Sequence, residues 1–290
     1  MIPAAFAYSR ATSVSEALSL LVEHGSDAKL LAGGQSLLPL MKLRLARPER
    51  LIDIGRVAEL RGVRELDGGG LSIGPLTTYA ALLADERISR YGAMADALPR
   101  IGDVQVRNRG TIGGAIAHAD PASDMPAVLL ALDASVVVRS ANRGERVISI
   151  DQFFHGAFQT AIAEDELLTE IRIPAASGSV GSAYRALEQP ASGYAIAGVA
   201  VVVGTTGSGG SWDLVRIGVT GVDDHAYRAT GAEAELAGSS GDDAPIERAA
   251  ARVTEGANVN GDIHADPAYR AAMAQVMARR ALELARSRLG

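Results

Sequence analysis

Two pairs of adjacent glycines, Gly33-Gly34 and Gly113-Gly114, break up stretches that are otherwise apolar or small. A buried strand is weakened by glycine, so a glycine pair at the end of an apolar run marks a turn or a close backbone approach to something bulky. The first pair lies in Leu30-Leu-Ala-Gly-Gly-Gln-Ser-Leu-Leu-Pro-Leu40. Here a turn at Gly33-Gly34-Gln35-Ser36 can present consecutive backbone N–H groups, and a helix can begin directly after it. Ser36 suits the N-cap and Pro39 the first turn. Exposed N–H groups beside a helix N-terminus attract anions, phosphates above all, although an ordinary strand–turn–helix corner has the same pattern. The second pair lies in Gly110-Thr-Ile-Gly-Gly-Ala-Ile-Ala-His-Ala-Asp-Pro-Ala-Ser-Asp-Met-Pro126. Two such loops far apart in sequence point to one ligand held between two parts of the fold. Neither is a dinucleotide Gly-x-Gly-x-x-Gly, and no phosphate loop ending in Gly-Lys-Ser/Thr occurs, so a standard Rossmann or nucleotide-hydrolase site is not expected.

The rest of the chain divides into three regions. Ser13-Val-Ser-Glu16 fits a capping box, followed by Val14, Ala17, Leu18 and Leu21 on one helical face and a stop at Gly25. With strands at 29–32 and 51–54, residues 1–55 read as a small β-α-β unit. In residues 56–176, Gly68-Gly-Gly70 suits a turn before a strand at 71–74, and Thr77 suits the cap of a helix at 78–84. Strands at 134–140 and 146–150 face each other across Asn142-Arg-Gly144, and Glu166–Pro174 closes the region. After a small-residue linker at 175–181, residues 177–290 read as an antiparallel meander (184–187, 195–203, 212–220, with a flexible loop at 205–211). Helices near 245–257 and 267–289 follow.

With 290 residues, 48% of them hydrophobic, the chain can bury a large core in two or three domains. A net charge of −6 argues against nucleic acid or an anionic membrane as partner, so any phosphate must be held by backbone. The absence of cysteine excludes disulfides, thiolate catalysis and cysteine-ligated zinc or iron–sulfur clusters within this chain. The first ten residues contain no basic region followed by a long apolar one, and no apolar run is long enough to span a bilayer; a soluble, cytoplasmic chain is expected.

Leu31–Arg44, Gly110–Gly114, Ala119-Asp-Pro-Ala-Ser-Asp-Met-Pro-Ala127 and Leu167-Leu-Thr-Glu-Ile-Arg-Ile-Pro174 together resemble the FAD-binding medium subunit of molybdenum hydroxylases, with particular likeness to the aerobic carbon monoxide dehydrogenase type. The resemblance runs along nearly the whole chain. It implies an α+β fold: a two-part FAD-binding module (the small β-α-β subdomain plus a mixed α/β subdomain), followed by a C-terminal domain of antiparallel sheet and helices. It also implies FAD between the first two regions, with Ala32, Gly33, Gly34, Gln35, Ser36 and Leu37 in one pyrophosphate loop and Thr111, Ile112, Gly113, Gly114 and Ala115 in the other. Gln35 stands where related chains often carry His or Asn.

The resemblance suggests further cofactor contacts, each beside a simpler alternative. Asp124 matches a contact to the ribityl region but equally suits a helix N-cap, and Asp120 before Pro121 suits a turn. Thr77 and Thr78 follow a stretch that approaches the cofactor, or they cap a helix. Leu168 packs near the flavin or is simply core. Tyr194 covers a flavin face or packs on a sheet, and His118 reads as a satisfied loop histidine rather than a covalent flavin link. Glu188-Gln-Pro-Ala191 departs from a more basic stretch of the carbon monoxide type. The implied function is electron transfer from the iron–sulfur clusters of a small partner subunit, through FAD, to an external acceptor. Hydroxylation would occur on a large molybdenum-cofactor subunit, in a heterotrimer or its dimer, and this chain would supply no acid–base catalyst. A stand-alone FAD oxidoreductase of the same fold is the alternative.

Overall fold

The structure, a computed structural model, describes residues 2–205 and 210–289. The expected loop at 205–211 falls largely outside those residues. Three sheets carry the chain, and each region of the sequence builds one of them.

The first sheet contains β1 (Ala7–Arg10), β2 (Ala28–Leu31) and β3 (Arg50–Asp53), all parallel, in the order β1-β3-β2. Parallel neighbours need crossovers. One is α1 (Val14–His24), which buries Val14, Ala17, Leu18 and Leu21, and the other contains α2 (Leu37–Lys42). The capping box is only half made: Glu16 N–H donates to Ser13 Oγ at 3.1 Å, but the Glu16 carboxylate accepts from the N–H and hydroxyl of Thr12, both at 2.7 Å. Thr12 offers two donors where Ser13 would offer one, so the acid reaches one residue further back.

The second sheet has the order β4-β5-β10-β6-β7, from β4 (Val63–Glu65), β5 (Leu71–Ile73), β6 (Ser135–Ser140), β7 (Gly144–Ser149) and β10 (Glu166–Ile173); β8 (Phe154–Gly156) and β9 (Gln159–Thr160) form a small hairpin beside it. Between β5 and β6 the chain makes six short helices: α3 (Tyr79–Leu83), α4 (Glu86–Ser89), α5 (Gly92–Ala97), α6 (Val104–Arg109), α7 (Ile112–His118) and α8 (Asp124–Ala131). The cap of α3 is Thr78, which accepts from Ala81 N–H, and not Thr77. Thr77 is buried with its hydroxyl 2.7 Å from the Gly74 carbonyl oxygen, and it also accepts from Gly62 N–H at 2.9 Å.

In the third sheet β11 (Ser179–Glu188), β12 (Ala195–Thr205), β13 (Leu214–Thr220) and β14 (Tyr227–Arg228) form an antiparallel meander. It is followed by α9 (Thr230–Leu236), α10 (Asp243–Ala251) and α11 (Pro267–Ser287). Helices cover both faces of this sheet: α5 and α8 on one side, α11 on the other. That is why β12 carries no polar side chain before Thr205. Ala200 and Val202 join the core of the second region, while Val199, Val201 and Val203 join that of the C-terminal helices. Strand β11 begins inside the stretch expected as a linker. A Cβ at Gly181 would overlap the Ala285 carbonyl oxygen, so small residues there admit α11 rather than loosen the chain. Among the described residues no helix is long and apolar enough to cross a membrane.

Candidate functional site

A cavity of about 860 Å³ opens where the three regions meet. This is within the size range of small-molecule and cofactor pockets, roughly 300–1,000 Å³.

Ala32, Gly33, Gly34, Gln35, Ser36 and Leu37 line one part of it, at the carboxyl end of β2 and the N-terminus of α2. Among the described residues, the backbone N–H groups from Gly33 to Leu37 donate to no protein acceptor. A run of unpaired donors is costly unless water or a ligand satisfies it, and its natural occupant is an anion. Ser36 occupies the N-cap position of α2 but its hydroxyl makes no capping bond. Gly34 has φ 75°, the left-handed conformation that turns the chain here. Gly33 serves packing instead, because a Cβ there would overlap the Arg109 carbonyl oxygen; its backbone lies directly on the end of α6.

The second glycine loop is built otherwise. Thr111, Gly113, Gly114 and Ala115 line the cavity. Yet the N–H groups from Ile112 to Ala115 are already used, Ile112 to Thr77 O (3.1 Å), Gly113 to Pro75 O (2.9 Å), Gly114 to Thr111 Oγ1 (3.1 Å) and Ala115 to Thr111 O (3.1 Å). The second loop therefore differs from the first, its amides from Ile112 to Ala115 being spent on protein acceptors. Ile112 is fully buried in the core, and neither it nor Thr77 lines the cavity. Gly113 lies so close to Pro75 that no side chain fits, whereas a Cβ at Gly114 would meet only Thr111 Oγ1, at 2.8 Å. The first loop supplies donors and the second supplies space.

The turn at 120–124 forms a third wall. Asp120 Oδ1 accepts from Ala122 N–H at 2.9 Å, the turn geometry expected before Pro121. The C-terminal sheet fixes this turn from outside, with Gly221 N–H donating to Pro121 O (2.8 Å) and Ala195 N–H to Ala122 O (3.2 Å). The Thr220 hydroxyl sits 2.7 and 2.8 Å from the carbonyl oxygens of Pro121 and Ser123. Asp124 is the first residue of α8 and not its cap, a position held by Ser123. The Tyr184 hydroxyl, reaching from β11, donates to Asp124 Oδ1. Burial is the main cause that pushes the Asp124 carboxyl up to about 7, with Tyr184 and Arg100 opposing and Glu188 reinforcing. Burial likewise raises the Tyr184 phenol well above its usual range, and Asp124 adds to it. Glu188, in the stretch that departs from a basic pattern, pairs with Arg100.

Aromatic rings complete the lining. Tyr194 precedes β12 and is 45% exposed, so it is not packed in the sheet. His118 ends α7, and its ring lies 5.0 Å from that of Phe158. It makes no hydrogen bond among the described residues, so it is not the satisfied loop histidine expected, and burial lowers its pKa. Phe158 holds φ 58° and Ala119 φ 51°, and Phe158 N–H donates to Ala119 O at 3.0 Å. Two non-glycine residues in left-handed conformations at one contact cluster where sites store strain. Leu168 lines the cavity from β10, beside a register shift between Leu168 and Glu170. Tyr184, Thr220 and Phe158 carry no sequence signal: a tyrosine and a threonine in strands look like sheet residues, and Phe158 like a loop hydrophobe.

Residues 4–176 match the family model described as FAD binding domain in molybdopterin dehydrogenase, and residues 182–285 match that of the CO dehydrogenase flavoprotein C-terminal domain. The chain is 43% identical over 289 residues to the carbon monoxide dehydrogenase medium chain of Hydrogenophaga pseudoflava, covering 99% of both chains. It is 39% identical to the caffeine dehydrogenase subunit beta of a Pseudomonas species, over 85% of this chain and 83% of that one. The structure superposes with a TM-score of 0.95, at 44% identity and over 100% of both chains, on a chain of the Hydrogenophaga pseudoflava carbon monoxide dehydrogenase that lacks the Mo-pyranopterin moiety of its cofactor.

Proposed function

Since the chain belongs to the family of FAD-binding medium subunits of molybdenum hydroxylases, we propose that the cavity holds FAD with its diphosphate against the Gly33–Leu37 amides. The run of unpaired N–H groups carries this reading. An acidic protein with no Lys or Arg cluster at the loop can still hold two phosphates through backbone dipoles. Gly114 leaves room for the cofactor, and the turn at 120–124, Leu168 and Tyr194 border it. FAD held here would supply the electron relay between the iron–sulfur clusters of a small partner subunit and an external acceptor, with hydroxylation on a large molybdenum-cofactor subunit. This chain's own residues bind, orient and shield. With no cysteine it has no thiolate to ligate a cluster, and among the described residues no group of His, Cys, Asp or Glu is arranged to hold a metal ion.

The substrate is read elsewhere. Relatives of nearly equal identity are named for carbon monoxide and for caffeine, so the identity of the hydroxylated molecule does not reside in this chain's overall similarity.

The purified chain is expected to bind FAD without iron and to release it as a yellow supernatant on acid precipitation. A protein that takes up no FAD, or whose flavin stays in the pellet, would contradict non-covalent binding. Tyr194→Ala is expected to keep FAD but to change its fluorescence and reoxidation rate, because a half-exposed ring at the rim shields more than it anchors. Unchanged fluorescence and rate would leave Tyr194 without a part in the site.

A further inference from the structure

Asp124 lines the cavity, yet only 6% of its surface is exposed and no cation forms an ion pair with it among the described residues. Its Oδ1 accepts from the Tyr184 hydroxyl, and Oδ2 is the oxygen to which no other side chain donates among the described residues. A carboxylate desolvated without a counter-ion is costly, and protonation removes the cost.

The titratable and charged groups that act on it come from several elements. Tyr184 donates from β11, and the Arg100–Glu188 pair brings one charge of each sign. Tyr79 of α3 and Tyr194 are neutral phenols held so by burial, with Asp124 adding to that effect at both. Asp120 adds negative charge near Tyr194 and His118, and Asp96 of α5 accepts from Tyr184 N–H behind the pair. The N-terminus of α8 favours the anion. Burial outweighs the groups that favour the anion, and the two protonation states lie close together near neutrality.

We propose that Asp124, oriented by Tyr184, is the proton-holding residue of this cavity: Oδ2 gains a proton from solvent when the bound flavin becomes more negative and loses it when that charge leaves. The inference rests on the FAD reading of the cavity. The balance is simple. Two electrons from the partner's clusters, accompanied by one proton, would leave one net negative charge in the cavity; the Asp124 carboxylate plus a second solvent proton then becomes a carboxylic acid, and departure of the electrons to the acceptor with release of both protons reverses it. A unit charge entering a partly desolvated cavity changes a neighbour's protonation ratio by roughly tenfold or more, so the coupling is strong enough to matter. Tyr184 is a positioning residue: it fixes which oxygen is free.

The test uses the FAD-loaded complex, with the flavin midpoint potential followed across neutral pH for the parent, Asp124→Asn and Tyr184→Phe. The parent is expected to show an inflection near neutrality that Asp124→Asn lacks and Tyr184→Phe displaces. Redox-difference infrared spectra of the parent should contain a carboxylic-acid carbonyl band that shifts in heavy water. Identical pH profiles in all three proteins would overturn the proposal. If Asp124→Asn fails to retain flavin, the infrared band decides: its presence supports the assignment and its absence overturns it. A parent complex without flavin would overturn the FAD reading, a failure distinguishable from flavin bound with no pH inflection.

Discussion

Gly114→Val is expected to give a folded chain that no longer retains FAD, and Gly113→Val a chain that does not fold. The two glycines are neighbours in the first turn of α7, but they face different things. A Cβ at Gly113 would overlap the Pro75 side chain and stand 2.7 and 2.8 Å from Pro75 Cα and O. The backbone cannot retreat, because Gly113 N–H donates to that same Pro75 oxygen at 2.9 Å and Ile112 N–H donates to Thr77 O. Making room means separating α7 from the turn at 74–77 that follows β5, beneath which Ile73 and Ile112 are fully buried. Overpacking that only side chains can relieve costs about 1–3 kcal/mol. Here backbone must move, and the loss approaches the ~5–15 kcal/mol that holds a whole domain together. At Gly114 the only neighbour is Thr111 Oγ1 at 2.8 Å, a hydroxyl that can rotate away with the loss of one helix cap, about 1 kcal/mol. The added methyl groups then occupy the cavity. Circular dichroism and bound-flavin stoichiometry separate the cases. Full flavin in Gly114→Val, or a folded Gly113→Val, would contradict this division of roles.

That division also marks where sequence reading stops. Glycine pairs at the ends of apolar runs are visible in the sequence because glycine is rare in strand interiors, and the structure puts both pairs at one cavity. Which glycine serves a ligand and which serves packing depends on Pro75, Arg109 and Leu38, partners whose proximity is created only by the fold. The amphipathic α1, the Gly68–Gly70 turn, the 135–149 hairpin and the long α11 are legible because local periodicity and turn chemistry decide them. The chain of short helices from α4 to α6 is not, since each is six residues or fewer and stands by burial rather than by its own pattern. Strand β1 is nearly as silent: Ala7-Tyr-Ser-Arg10 becomes a strand only by pairing with β3.

The same limit explains the site's electrostatics. Asp124 before Met-Pro reads equally as a cap or a contact, and the fold makes it neither cap nor free acid. What decides its state is burial, opposed by the hydrogen bond from Tyr184, sixty residues away and indistinguishable in sequence from any strand tyrosine. The C-terminal region therefore enters the site indirectly, through Tyr184 on Asp124 and Thr220 on the 120–124 turn, rather than by a motif of its own.

That burial has a measurable consequence for stability in the FAD-free chain. The Asp124 carboxyl titrates at about 7 in the fold, against 3.8 when exposed. Between these values the folded state keeps a proton that the unfolded chain has lost, so the contribution of Asp124 to stability falls as pH rises from about 4 to about 7 and is level above. At about 1.4 kcal/mol per pKa unit, the change is on the order of 4 kcal/mol. The parent's overall curve mixes this with carboxyls that behave oppositely. Glu166, held down by Arg146, and Asp165, held down chiefly by Ser140 and then Arg143, favour the fold at neutral pH and cease to do so in acid. Those groups are shared by Asp124→Asn, where the amide does not titrate, so the difference between the two proteins isolates Asp124. Urea unfolding at a series of pH values, without FAD because a ligand adds its own linkage, is expected to show the parent losing stability relative to Asp124→Asn as pH rises toward neutrality. Parallel curves would mean that Asp124 is ionised in the folded chain at neutral pH, and that its burial is compensated by charge rather than by a proton.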